Sequence, residues 1–150
     1  FGTVRSATVT QRGQKRTWNE WKEDEITSRD PDTDQTGPND SPAGDGIPNL
    51  LKYATGLDPL KPCGSVVQVT AEEAGGDACL VLGWPVNPEA TGIRHAVEAS
   101  EDLQTWTETA EAETEGKSSA TFRDAVPMNA ESPRRRFLRL KISREGESPL

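Results

Sequence analysis

Aromatic side chains are scarce in these 150 residues: four Trp, three Phe and one Tyr. Histidine and methionine occur once each, and cysteine twice. Hydrophobic residues make up 32% of the chain, against roughly 45–50% in ordinary globular chains, a figure that also counts Gly. One modest core is therefore expected, with much of the chain in loops or thin sheet. No apolar run approaches the ~18 residues of a membrane-spanning helix, and no charged-then-apolar signal peptide opens the chain. Membrane insertion is not expected. Opening on Phe1 rather than Met, the sequence reads as a mature product, a proteolytic fragment or an excised domain.

The same scarcities narrow the chemistry. Two cysteines and the single His95 fall short of the four ligands of a structural zinc site. There is no Gly-x-Ser-x-Gly elbow and no Gly-rich phosphate loop; Gly75-Gly76 reads as a hairpin turn. His95 alternates with Ile93 and Val97, which places it on the half-buried face of a strand rather than in a catalytic constellation. Carboxylates are plentiful, but they sit in loops without the apolar pocket that raises a general acid's pKa. No catalytic residues are expected, and the chain reads as a non-enzyme.

What is abundant is acid. The formal net charge is −8, unevenly spread. Residues 1–22 carry Arg5, Arg12, Lys15, Arg16 and Lys22 against Glu20, whereas 23–58 hold nine acids against Arg29 and Lys52. A basic run, "RRRFLRLKISR", fills 134–144 and reads as a strand with a solvated basic face. With so acidic a remainder, a nucleic-acid partner is not expected.

Organisation follows from the pattern. "GTVRSATVTQRG" is β-branched and alternating, so residues 1–16 read as a strand or linker arm. Thr17 and Glu20 stand at capping-box spacing ahead of an apolar face of Trp18, Trp21 and Ile26, which predicts a short helix. "SRDPDTDQTGPNDSPAGDG" has turn residues and carboxylates and no apolar period, so it is a long loop. A second helix follows, with Pro48 in its first turn, apolar contacts from Leu50, Leu51, Tyr53 and Ala54, and Gly56 as its left-handed cap. From Ser65 the pattern becomes strands: "SVVQVTAE", "ACLVLGWPV", "IRHAVEAS", "SSATFRDAV" and "RRFLRLKIS". The expected architecture is mainly β: a helix–loop–helix over 17–60, a small antiparallel β-sandwich over 65–144, and a C-terminal tail at 145–150.

The loop has the shape of a calcium loop and little of its charge. Calcium loops of twelve residues use side chains at positions 1, 3, 5 and 9, a Gly turn at 6, and a bidentate Glu at 12. With Asp45-Gly46 at positions 5 and 6, the others fall on Ser41, Ala43, Asn49 and Lys52. Ala43 has no oxygen to offer, and Lys52 puts an ammonium where two oxygens belong. The stretch is expected to keep its turn and exit helix without the ion, with Lys52 paired to Asp45. A second acidic set, Asp30, Asp32 and Asp34, has 1-3-5 spacing but Gln35 in place of the glycine. With Asp40 and Asp45 it forms the alternative candidate for calcium; no other cofactor is expected.

"RTWNEWKEDEI", "DPDTDQTGPNDSPAGDGIPNLLKYATGLDP", "VEASEDLQTW" and "RRRFLRLKI", in that order, resemble a C-terminal module of large secreted proteins of verrucomicrobial and planctomycete type. That module joins a Trp-bearing helix and a dockerin- or thrombospondin type 3-like calcium loop to a small β-sandwich. Its Asp-rich loop maps onto Ser41, Ala43 and Asp45 and its Glu onto Lys52, and this chain departs at three of the four. The resemblance implies a secreted or cell-surface location. It also implies a non-catalytic role in terminating, anchoring or mediating contacts of a larger protein, whose other domains or a surface protein would be the partners. Cys63 and Cys79 enclose a 15-residue loop and could be free thiols or a bridge; the oxidising compartment implied here favours a disulfide, which would contribute roughly 3 kcal/mol. The alternative reading is a carbohydrate-binding module of a polysaccharide-degrading enzyme, with Trp18, Trp21, Trp84 and Trp106 as stacking platforms for a glycan.

Overall fold

The computed structural model describes residues 14–128 and 135–146. The strand or arm expected over residues 1–16 lies outside the described residues as far as residue 13. Arg134 and residues 147–150 of the expected tail lie outside them too.

Helix α1 (Trp18–Lys22) begins as its sequence requires. The Thr17 hydroxyl accepts from the Glu20 N–H, and the Glu20 carboxylate accepts from the Thr17 N–H at 2.8 Å. This reciprocal pair satisfies two of the donors that every helix start leaves open. The helix then widens into π-helical turns over Glu23–Thr27. Trp18, Trp21 and Ile26 are buried against Tyr53, with the Trp21 and Tyr53 rings 5.4 Å apart.

Helix α2 (Asn49–Thr55) is capped by Pro48, one residue outside the helix, where its φ of −63° suits an extended cap. It ends at Gly56, whose φ of 78° is the left-handed region glycine enters without strain. The Gly56 and Leu57 N–H groups both donate to the Lys52 carbonyl, which closes the last turn.

Among the described residues six strands follow: β1 (Gln68–Ala74), β2 (Asp77–Pro85), β3 (Ile93–Ser100), β4 (Thr107–Ala112), β5 (Ser119–Arg123) and β6 (Phe137–Arg144). They form two three-stranded antiparallel sheets, ordered β1-β2-β5 and β4-β3-β6. Gly75 and Gly76, with φ of 64° and 91°, make the two-residue turn joining β1 to β2, as their spacing predicts. The strand β4 is an addition to the sequence reading. "TETAEA" offers alternating β-branched and acidic residues with only Ala110 and Ala112 turned partly inward, so its apolar signal is faint.

One cluster takes side chains from both sheets. Leu82, Trp84 and Val86 from β2 and its exit meet Val97 of β3, with Phe122, Leu138 and Leu140 packed around them. Strand β3 lies between β4 and β6, and residues 95–100 are all buried. That central place explains why His95 is buried rather than half-buried: both faces of the middle strand are covered.

The helical cap is stitched to the sheets at Tyr53. Its hydroxyl, fully buried, donates to the carbonyls of Arg16 (2.6 Å) or Thr91 (2.8 Å) and accepts from the Thr91 N–H. The Asn87 amide donates to the Tyr53 carbonyl. Arg16 adds a parallel bridge to Ala90, and its guanidinium reaches Glu25 at 2.9 Å. Tyr53 thus holds the incoming chain, α2 and the start of β3 at one point.

Candidate functional site

The loop between α1 and α2 carries eight acids against Arg29, and its centre is buried. The Lys52 side chain is 0% exposed and the Asp45 side chain 5%. The Lys52 ammonium lies 2.7 Å from Asp45 Oδ2 and donates to the Lys61 carbonyl at 2.9 Å. Side chains on a helix lean toward its N-terminus, so a lysine in the second turn of α2 reaches back into the loop before it. Asp45 has no spare oxygen. Its Oδ1 accepts from the Ser41 hydroxyl at 2.9 Å and the Ile47 N–H, and its Oδ2 also accepts from the Cys63 N–H. Ser41 in turn accepts from the Gly46 N–H. The Lys52 ammonium, followed by these hydrogen bonds, holds the Asp45 carboxyl far below the usual carboxylate range.

Calcium takes six to eight oxygens, and the residues here do not fit it. Position 3 is the methyl of Ala43. Asp45 and Ser41 are committed to partners within the loop, and the Lys52 ammonium stands in the carboxylate's place. Asn49 donates through Nδ2 to the carbonyls of Gln35 and Gly37, tying the acidic stretch to α2. Its Oδ1 is buried without a hydrogen-bond partner, but one such oxygen is far too few.

The second acidic set does not converge either. Asp30, Asp32 and Asp34 are exposed, and Asp40 accepts from the Gly37 N–H at 2.8 Å. Among the described residues, no group of three or more His, Cys, Asp or Glu side chains is arranged to hold a metal.

Three of the four tryptophans are closed to a ligand. Trp18, Trp21 and Trp84, which the alternative reading uses as stacking platforms, are 8%, 2% and 3% exposed and belong to the two core clusters. Trp106 is partly exposed, and the Arg139 guanidinium lies over its ring at 4.0 Å.

The disulfide expected between Cys63 and Cys79 is absent: both are free thiols. Cys63 sits in the connector after α2, with its amide on Asp45 and its thiol toward the Ser65 carbonyl. Cys79 is inside β2, opposite Glu72 of β1. Each backbone is fixed by a different partner.

The basic run is less solvated than its sequence implies. Arg139 and Lys141 both reach Glu98, and Arg136 makes a two-pronged, largely buried pair with Asp124 at 2.7 and 2.8 Å.

His95 accepts at Nδ1 from the Trp84 indole N–H at 3.1 Å, so the neutral ring carries its proton on Nε2. Burial pushes the imidazole down from 6.5 to about 4. Between those values the unfolded chain binds the proton and the folded one does not, so stability rises with pH across that window. The contribution is full above pH 6.5 and lost as pH falls through about 4, a change of about 3 kcal/mol. Urea denaturation from pH 4 to 7 should show this slope, and His95→Asn, which keeps an acceptor, should flatten it. An unchanged slope in the variant would assign it to other groups.

Comparison with known proteins gives no match: no family model, no curated protein and no solved structure matches the chain.

Proposed function

We propose that this chain is a non-catalytic, extracellular accessory module that terminates, anchors or mediates the interactions of a larger secreted protein. In this reading its sheets face one another as a small antiparallel β-sandwich, and the helix–loop–helix caps one end. The core cluster drawn from both sheets supports that packing. The observation carrying the functional reading is the seam at Tyr53. There the incoming segment at Arg16, helix α2 and the start of β3 meet in one buried hydrogen-bonded knot. A pull on the chain before Arg16 is delivered to that knot and to the Lys15 contacts with Pro88 and Glu115. It does not reach an unsupported helix. This suits a module whose task is to be a firm end-piece.

The alternative, a carbohydrate-binding module, would stack a sugar on Trp106, which is partly exposed. A polysaccharide panel read by intrinsic fluorescence separates the two. The end-piece reading expects emission that resists a soluble quencher and does not shift with any oligosaccharide. A saturable shift abolished by Trp106→Ala would replace it with the carbohydrate reading.

A further inference from the structure

We infer that Lys52 is the resident cation of the 41–52 loop, a covalently held substitute for the divalent ion that loops of this spacing recruit from solution. The charge count is matched. One buried ammonium meets one buried carboxylate, so the site is neutral without an ion. The geometry is matched as well. The ammonium takes one oxygen from the loop, Asp45 Oδ2, and one from the connector beyond α2, the Lys61 carbonyl. Asp45 returns the link by accepting from the Cys63 N–H at 2.9 Å. The cation therefore fastens the loop, the exit helix and the connector toward β1 at a single place.

Because the cation is part of the chain, its local concentration is fixed and closure does not follow the calcium level outside. The side chain at position 52 is what decides between the two designs. Lysine makes the fold self-sufficient, where a carboxylate would demand an ion. Removing the side chain beyond Cβ would leave a slot lined by the Asp45 carboxylate and the Lys61 carbonyl, sized for a three-carbon ammonium.

Thermal unfolding of the full chain tests this. The wild type should melt at the same temperature with calcium or with a chelator. Lys52→Ala and Lys52→Met should both melt lower. Propylammonium chloride should restore part of the loss in Lys52→Ala, measured against equal sodium chloride, and none in Lys52→Met. The inference is overturned if calcium raises the wild-type melting temperature by several degrees, if Lys52→Met melts with the wild type, or if propylammonium has no effect. Should Lys52→Ala fail to fold, the wild type still decides through its lysine ammonium resonances. One slowly exchanging signal, unmoved by a chelator, supports the inference; uniformly fast exchange of all of them overturns it.

Discussion

Replacing Asp45 with alanine is expected to lower the melting temperature by roughly 10 °C, the order associated with orphaning one member of a buried ion pair in a chain of this size. The variant leaves the Lys52 ammonium fully buried with the Lys61 carbonyl as its remaining partner, and it strands the N–H groups of Ile47 and Cys63. A double variant, Asp45→Leu with Lys52→Met, should recover much of the loss, because removing both charges leaves neither one buried alone. Calorimetry on the singles and the double gives the coupling directly. Additive losses would mean that the two side chains act independently, contrary to their 2.7 Å contact.

The second large effect lies in the β part. Trp84→Ala should cost about 3–5 kcal/mol, the usual range for emptying an indole-sized space in a packed core. Trp84 packs with Leu82 and Val97 in the core and donates its indole N–H to His95 Nδ1. Trp106→Ala should cost only about 0.5–1 kcal/mol, because the ring is partly exposed and stacks under the half-exposed Arg139 guanidinium. Denaturant titration of both variants, with near-ultraviolet dichroism as the probe of packing, checks the contrast. Equal losses would mean that Trp106 is a core residue after all.

The elements with local signatures were legible from residue types alone. Thr17 and Glu20 announce α1, Gly56 ends α2, and Gly75-Gly76 turns the hairpin. In each case the physical cause lies within a few residues. Strand β4 was missed because an edge strand facing solvent needs few apolar residues, and "TETAEA" has only alanines to show. The depth of His95 was missed because alternation reports one covered face, whereas β3 has two.

The candidate site was half legible. The mismatch of Ala43 and Lys52 with a calcium loop could be read from spacing, and so could the pairing of Lys52 with Asp45. The roles of Lys61 and Cys63 could not. They act through a backbone carbonyl and a backbone N–H, which every residue carries, so residue type holds no trace of them. The free thiols lie on different elements, Cys63 held through its N–H by Asp45 and Cys79 in the β1–β2 ladder, and the spacing of two cysteines carries no trace of that.

The knot at Tyr53 also orders events in time. As the chain leaves the ribosome, Trp18, Trp21 and Tyr53 emerge well before Thr91, so the tyrosine hydroxyl waits for a partner 38 residues downstream. Thr91 precedes β3, and β3 pairs in its sheet with β6, the last of the described strands. Contacts between such distant segments are slow to form, because the intervening loop must close before any of them is rewarded. Helix α1 is therefore among the last of the described elements to be locked, and the knot closes only once β6 is free to dock.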